Sequence, residues 1–253
     1  MNLQNLKYIE VMDCPIHALT MRETVGIIEK AIQEKKQIHH VVVNAAKLVH
    51  MKTDEQLRSS VVHCDIINAD GQSVVWASRF LNQPLPERVA GVDLMLELME
   101  LAGEKGYSAY FLGASEEVVK KVVDVYQTRY GNQIIAGYRN GYYSKEEESE
   151  IALEIASSKA DMLFVAISSP KKEIFLNKFK SIIDTPFIMG VGGTFDIIAG
   201  KTKRAPRWMQ QSGLEWLFRV IQEPRRMWKR YAVTNTKFIW YLLTEKLSRL
   251  WRT

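Results

Sequence analysis

The chain has 253 residues, of which 47% are apolar and 25% charged, a balance that excludes a disordered chain and allows one or two packed domains. Its two cysteines, Cys14 and Cys64, have no CxxC spacing and no flanking histidine pairs, so the sequence indicates neither a disulfide framework nor a zinc site. The N-terminus lacks a basic segment followed by an apolar run, and no stretch of 18 apolar residues occurs. We therefore expect a cytoplasmic protein without a membrane-spanning segment.

The net charge of +5 is distributed unevenly along the chain. Residues 200–253 contain 13 lysines and arginines against three glutamates, which gives this segment a charge of +10 and leaves −5 for residues 1–199. Five of the six tryptophans also lie in residues 200–253. We therefore predict a core over residues 1–199 and a basic, tryptophan-rich helical appendage over residues 200–253.

Within the core, short β-branched runs alternate with segments of helical periodicity, the pattern of βαβ units that build a largely parallel sheet. The predicted strands are KYIEVM, IHHVVV, CDIINA, SAYFLG, QIIAGY, DMLFVAI and PFIMGVG. The fold class is therefore α/β, with helices flanking the sheet.

Several helix ends carry recognisable capping signals. Thr20 with Glu23, and Ser144 with Glu147, match the capping box that opens a helix, and glycines end the helical segments 91–106 and 115–131. In the appendage, the pattern predicts successive helices that Pro206 and Pro224 interrupt.

Loops that follow the predicted strands are the candidate site, because ligands of parallel α/β sheets bind beyond the carboxyl ends of the strands. Gly113 in FLGASEE precedes a helix whose N–H groups suit a diphosphate, although an ordinary tight turn explains it equally well. In GVGGTFD, Gly192 and Gly193 permit close approach of a ligand to the backbone, but the motif is neither GxGxxG nor a Walker loop. Asn44 in VNAAK is either a site amide or a helix cap.

Asp70 is the most informative of these residues. It follows the strand CDIINA and precedes a glycine, so it is either a helix cap in a turn or a carboxylate presented to a substrate. Arg88 follows in ERVAGVDLM and is either a clamp for a diphosphate or a surface charge.

The appendage interleaves tryptophan and leucine with lysine and arginine, as interfacial helices on anionic membranes do. A basic face of ordinary packed helices is the alternative. A nucleic-acid patch is less well supported, because no nucleic-acid motif accompanies the charge.

Five motifs in order, NADGQSVVWASR, ERVAGVDLM, AISSPKKE, GVGGTFDIIAGKTKRAP and GLEWLFRVIQEPRRMWKRY, resemble those of the WecG/TagA/CpsF glycosyltransferase family over nearly the whole chain. The similarity is closest to the N-acetylmannosaminyltransferase branch of wall teichoic acid synthesis. It implies a Rossmann-like core that binds the UDP-sugar and a C-terminal appendage that completes the active site at the membrane. The implied reaction is inverting transfer of N-acetylmannosamine from UDP-ManNAc to GlcNAc on undecaprenyl diphosphate, on the inner face of the cell membrane.

The resemblance also implies roles for particular residues. Asp70 corresponds to the family's proposed general base, Asn44 to its active-site amide and Arg88 to its active-site arginine. Lys172, where the family often has Gln, and Asp196 correspond to donor-binding positions. The full predicted donor- and diphosphate-binding set is Gly113, Lys172, Gly192, Gly193, Asp196, Arg219, Arg225 and Arg226, and the predicted membrane contacts are Trp228, Trp240 and Trp251.

No two aspartates stand two positions apart, so the chain has no DxD motif and we expect neither a metal nor another cofactor. Two alternatives stay open. A sibling enzyme using UDP-N-acetylmannosaminuronic acid would need an extra cation such as Lys172, and a non-catalytic module would bind lipid or nucleic acid through the appendage. The expected partners are the two substrates and the anionic membrane surface, with no nucleic acid, and a homo-oligomer is left open.

Overall fold

The structure, a computed structural model, describes residues 3–251 apart from the side chains of Gln4 and Arg226. Its strands are β1 (Tyr8–Val11), β2 (Cys14–His17), β3 (Ile38–Val43), β4 (Ile66–Ala69), β5 (Ala109–Gly113), β6 (Ile135–Arg139), β7 (Met162–Ala166) and β8 (Phe187–Gly190). Its α-helices are α1 (Met21–Glu34), α2 (Ala45–Met51), α3 (Glu55–Val62), α4 (Gln72–Phe80), α5 (Gly91–Lys105), α6 (Glu116–Tyr130), α7 (Glu148–Ser157), α8 (Lys171–Ile183), α9 (Thr194–Ile198), α10 (Arg207–Gln211), α11 (Glu215–Gln222) and α12 (Pro224–Leu250).

Six of the strands form one parallel sheet in the order β4-β3-β8-β7-β5-β6. In register, Val43 of β3 stands beside Ala69 of β4, and His40 stands beside Met189 of β8. Because the strands are parallel, their carboxyl ends meet at one edge of the sheet. The predicted α/β class is confirmed, and the loops after β4, β3, β8 and β7 become neighbours at that edge.

Helices cover both faces of the sheet. One apolar cluster joins α1, α5, α6 and α9 to one face, and it includes Phe111, which stacks on Phe164 at 6.0 Å between ring centroids. Two further clusters join α2 and α3, and α7 and α8, to the other face, where α3 contacts α8. Such two-sided burial explains why the strands read as continuous apolar runs rather than alternating ones.

An additional strand, β2, was not predicted from the sequence. It pairs antiparallel with β1 through a tight turn at Met12 and Asp13, both at positive φ, the geometry of a two-residue hairpin. Pro15 within β2 obscures the pattern, because proline is rare in strands other than edge strands. The hairpin lies beside the edge strand β4, where the Ile67 N–H donates to Nδ1 of His17 at 3.0 Å.

Of the two predicted capping boxes, only the first is complete. Thr20 and Glu23 make both bonds of the box at the start of α1. At the second, Glu147 accepts a hydrogen bond from the Ser144 N–H at 2.8 Å, but α7 begins only at Glu148 and has no side-chain cap. The predicted start of that helix was therefore wrong, because residues 144–147 form a turn instead.

The appendage is helical, and α12 begins at the predicted break at Pro224. The prediction for Pro206 was wrong, because residues 201–206 are not helical and α10 only begins after this proline. A break that was not predicted separates α10 from α11 at residues 212–214. The longest helix of the appendage, α12, packs against α2 and buries Phe238 in the core. Near its end, Glu245 accepts a hydrogen bond from the Met12 N–H at 2.9 Å. The appendage is thus docked on the core rather than detached from it.

Candidate active site

Four predicted site residues lie in the loops that follow four adjacent strands. Asp70 follows β4, Asn44 follows β3, Gly192 follows β8, and Lys172 stands near the start of α8, after β7. The order of strands in the sheet therefore places four distant parts of the sequence at one edge.

Asp70 is not the cap of the helix that follows it. Gly71 occupies that position in α4 and makes no side-chain cap. The Asp70 N–H donates to the Val43 carbonyl at 2.9 Å, and its Oδ1 accepts a hydrogen bond from the Gly91 N–H, the first residue of α5, at 3.1 Å. The carboxylate is therefore fixed between the end of β4 and the start of α5.

The pKa of the Asp70 carboxyl is raised above its usual value. Burial is the main cause, and the carboxylate of Glu215 adds to it, while Arg219, the Gly91 N–H and Arg88 partly offset both. A carboxylate whose pKa moves toward neutrality is a better proton acceptor at physiological pH than an ordinary aspartate.

Arg88 lies beside Asp70, because the next residue, Val89, donates its N–H to the Ala69 carbonyl at the end of β4 at 2.9 Å. Its side chain is only 15% exposed, and its guanidinium donates a hydrogen bond to Oε2 of Glu215 at 3.0 Å. A second nitrogen lies 3.7 Å from Oδ2 of Asp93. The predicted clamp is thus a largely buried side chain that joins the core to α11.

The appendage contributes two of its arginines to this cluster. Arg219 donates to Oε1 of Glu215 at 3.3 Å, and its charge acts on Asp70. Arg204 makes a bidentate pair with Asp93 at 2.5 and 2.7 Å. By contrast, Arg225 is exposed in the first turn of α12, and the side chain of Arg226 lies outside the described part of the chain.

Sequence reasoning missed Glu215, Asp93 and Arg204. Glu215 stands four residues before Arg219, the spacing of a helical ion pair, which was the available signal. No local pattern signals the pairing of Arg204 with Asp93, because 111 residues separate them.

Lys172 belongs to a second charged group, the buried triad Lys47, Glu173 and Lys172. Oε1 of Glu173 lies 2.7 Å from Nζ of Lys172 and 2.8 Å from Nζ of Lys47, and no side chain of the triad is more than 9% exposed. The aliphatic part of Lys172 passes over Gly190 at the end of β8, where a Cβ would stand 2.9 Å from its Cδ. The triad carries one net positive charge, and it links α2 to α8 across the end of β8.

The pKa values of Lys172 and Glu173 in the triad are strongly shifted. Burial, followed by the charge of Lys47, lowers the pKa of Lys172 to about 8, against the opposing effect of Glu173. Although burial opposes it, the two ammonium groups hold the pKa of Glu173 at about 2. At neutral pH, Glu173 therefore stays ionised, whereas the pKa of Lys172 lies close to the pH of the solution.

Asn44 and the glycines after β8 have simpler local roles. The Asn44 side chain accepts a hydrogen bond from the Lys47 N–H at 3.0 Å and caps α2, which is the helix-cap interpretation of this residue. A Cβ at Gly192 or Gly193 would meet no atom within 4 Å, so the backbone there borders open space. Asp196 is half-buried on α9.

Gly113 is required by packing. Its φ is +130°, and a Cβ there would lie 2.5 Å from the Ala166 carbonyl oxygen. The helix that follows is capped by Ser115, which accepts from the Val118 N–H. Strands β3, β8 and β7 separate β5 from β4, about 19 Å at the usual strand spacing, so the structure does not bring Gly113 to the Asp70 cluster.

The described residues, 3–251, contain no group of three or more histidine, cysteine, aspartate or glutamate side chains placed to hold a metal ion. Metal independence stays a prediction from the missing DxD motif.

The fold and site define a Rossmann-like α/β protein with a cluster of carboxylates and arginines at the carboxyl edge of its sheet. A sequence profile of the glycosyl transferase WecG/TagA/CpsF family matches residues 9–252. The chain therefore belongs to this family of glycosyltransferases.

Two relatives are N-acetylglucosaminyldiphosphoundecaprenol N-acetyl-beta-D-mannosaminyltransferases. The one from Bacillus subtilis (strain 168) is 38% identical over 179 residues, which cover 68% of this chain and 69% of the relative. The one from Bacillus spizizenii (strain ATCC 23059 / NRRL B-14472 / W23) is 36% identical over 166 residues, which cover 66% of this chain and 63% of the relative.

Proposed function

We propose that this protein transfers N-acetylmannosamine from UDP-ManNAc to the 4-hydroxyl of GlcNAc in GlcNAc-diphospho-undecaprenol, with inversion to a β-linkage, in the synthesis of the wall teichoic acid linkage unit. The names of the two relatives support the sugar and the acceptor. The observation that carries the proposal is the position of Asp70 beside Arg88, where the charge of Arg219 also acts on it. The pKa of this carboxyl is raised.

In the proposed mechanism, Asp70 accepts the proton of the acceptor hydroxyl as its oxygen attacks the anomeric carbon. The bond from that carbon to the diphosphate breaks, and UDP leaves. Because the leaving group gains negative charge, fixed cations beside it lower the barrier. Arg88 and Arg219 are suited to this role, since a guanidinium binds two phosphate oxygens at once.

The alternative donor, UDP-N-acetylmannosaminuronic acid, is not favoured. It would need a free cation for the sugar carboxylate, whereas Lys172 is already paired with Glu173 at 2.7 Å. Both relatives are named for the uncharged sugar. A non-catalytic module is likewise not favoured, because the family is one of glycosyltransferases.

We further propose that the appendage holds the enzyme on the anionic inner surface of the membrane. The predicted contacts Trp228, Trp240 and Trp251 are 59%, 64% and 88% exposed. Other exposed apolar side chains of α12 are Val233, Ile239, Leu243, Leu247 and Leu250. Five of the exposed apolar positions, at 233, 240, 243, 247 and 250, recur at helical spacing and form one stripe.

Basic side chains accompany this stripe. The same helix exposes Lys229, Arg230 and Lys237, which anionic lipid attracts by about 1 kcal/mol each when they lie near the surface. Across residues 3–251, we find no helix whose length and apolarity would suffice to cross a bilayer. An interfacial position suits this combination and brings the site to a lipid-linked acceptor.

A donor panel tests the proposed function. Release of UDP is measured with a short-chain GlcNAc-diphospho-lipid and, in separate reactions, UDP-ManNAc, UDP-GlcNAc or UDP-N-acetylmannosaminuronic acid. We expect turnover with UDP-ManNAc at least tenfold above the others, unchanged by EDTA. Preference for another donor would refute the proposed specificity, and loss of activity in EDTA with recovery in Mg²⁺ would refute metal independence.

A further inference from the structure

Glu215 occupies a central position between the two arginines of the proposed site. It is the first residue of α11, and its side chain is 21% exposed. Oε2 accepts a hydrogen bond from Arg88 of the core at 3.0 Å, and Oε1 accepts one from Arg219 of the appendage at 3.3 Å. Each carboxylate oxygen is therefore used for a different guanidinium.

We propose that Glu215 is a positioning residue of the transferase: it holds the guanidinium groups of Arg88 and Arg219 in place for a diphosphate and sets the charge around Asp70. This inference rests on the proposed function. It gives a carboxylate of the appendage the role of orienting both arginines.

The hydrogen-bonding capacity of arginine makes such a role feasible. A guanidinium has five N–H donors, so a single bond to Glu215 fixes its orientation and leaves other donors for phosphate oxygens. Without that bond, Arg219, whose side chain is 47% exposed, would lose a fixed partner. Holding it in place lowers the entropy lost when the diphosphate binds.

The charges around Asp70 are balanced. Asp70, Asp93 and Glu215 provide three carboxylates, and Arg88, Arg204 and Arg219 provide three guanidinium groups. Glu215 raises the pKa of Asp70, and Arg219, the Gly91 N–H and Arg88 lower it. Arg204 also interacts electrostatically with Asp70. Neutralising Glu215 therefore leaves an excess of positive charge, and the pKa of Asp70 is expected to fall.

The test compares the Glu215→Gln variant with the full-length wild-type protein in two measurements that need no turnover. The titration of Asp70 is followed by NMR of ¹³C-labelled aspartate carboxyl groups, with Asp70→Asn used for assignment. Binding of UDP is followed by calorimetry. We expect Glu215→Gln to move the Asp70 midpoint to lower pH and to weaken UDP binding roughly tenfold, as the loss of charged hydrogen bonds does.

Two further variants make the result specific. Glu215→Asp keeps the charge but is one methylene shorter, so we expect it to keep the Asp70 midpoint close to that of the wild type while UDP binding still weakens. Glu97→Gln, at an exposed position of α5, should change neither quantity. If Glu215→Gln does not fold, the UDP affinity of Glu215→Asp is the measurement that tests the proposal.

An unchanged Asp70 midpoint or an unchanged UDP affinity in folded Glu215→Gln would overturn the proposal. So would undiminished UDP affinity in Glu215→Asp. Neither readout depends on which sugar is transferred. Failure of the proposed donor specificity in the donor panel can therefore be distinguished from failure of the role proposed for Glu215.

Discussion

Nζ of Lys172 lies 2.7 Å from Oε1 of Glu173, and both side chains are almost fully buried. Because Lys47 approaches the same oxygen at 2.8 Å, Glu173 is the only carboxylate between two ammonium groups in this triad. The stability of this part of the site therefore depends on one negative charge.

Replacing Glu173 with glutamine should lower the free energy of unfolding by about 3–5 kcal/mol, the usual cost of leaving a buried charge without its partner. Urea denaturation at pH 7 measures this loss, with Glu97→Gln as the exposed control. Since the folded pKa of Glu173 is about 2, below its unfolded value, its contribution should be present above pH 4.5 and be lost as the pH falls toward 2. A loss below 1 kcal/mol at pH 7 would contradict this account of the triad.

The pKa of Lys172, about 8, predicts a pH dependence of donor binding. As the pH rises through about 8, Lys172 loses its proton and the triad loses its net positive charge. The KM for UDP-ManNAc should therefore rise between pH 7 and 9, and this rise should vanish in Lys172→Gln. The exposed neighbour Lys171, changed to glutamine, provides the control. A wild-type KM that does not change over this range would remove Lys172 from the donor site.

Arg88→Ala should reduce turnover roughly 100-fold, and it should affect catalysis more than stability, because the guanidinium is proposed to bind a diphosphate. Arg88→Lys should restore only part of the activity, since an ammonium lacks the bidentate geometry. Turnover and thermal unfolding are measured together, and Arg58→Ala, on α3 away from the site, is the control. A large drop in melting temperature with unchanged turnover per folded molecule would make Arg88 structural.

Exchange of Trp240 and Trp251 for glutamine should weaken binding to anionic vesicles roughly tenfold, because two exposed aromatic groups leave the proposed interface. Higher salt should weaken it further by screening the basic residues. The exposed Tyr142 at the far edge of the sheet, changed to serine, is the control. Unchanged vesicle binding in the double variant would refute the proposed surface.

These substitutions test the appendage better than deletion does. The sequence predicts a core over residues 1–199 and a separate appendage, but Phe238 of the appendage is buried in the core against α2. Removing residues 200–253 would expose that apolar surface, so loss of activity in a truncated protein would not separate unfolding from loss of catalytic arginines.

Much of the site was predictable because strand patterns are local. The β-branched runs before Asn44 and Asp70 indicate buried parallel strands, and the carboxyl ends of such strands form one edge. That rule places Asp70 and Asn44 at the same edge of the sheet, whereas the pairing of their strands, β4 and β3, is known only from the structure. The hairpin strand β2 was not predicted, because Pro15 interrupts its pattern and its partner lies across a two-residue turn.

The charged pairs could not be predicted, because they join distant parts of the chain. Arg88 and Glu215 are 127 residues apart, and Lys47, after β3, meets Glu173, after β7, because these two strands flank β8 in the sheet. Among the charged pairs that the structure describes at the site, only the Glu215–Arg219 pair carries a local signal, its spacing of four residues on one helix. Gly113 shows that a local pattern can also mislead. A glycine before a helix resembles a phosphate-binding loop, but here glycine is required because the backbone packs closely on Ala166.

The turnover of Asp70→Asn tests the central claim most directly. Transfer from UDP-ManNAc to a short-chain GlcNAc-diphospho-lipid is measured beside UDP binding and thermal unfolding, with Asp124→Asn on the exposed side of α6 as the control. We expect Asp70→Asn to fold and bind UDP as the wild type does, while kcat falls at least about 100-fold, the scale of lost general-base catalysis. Near-normal turnover in the folded variant would contradict the account, because Asp70 would then serve only to fix the start of α5 through Gly91.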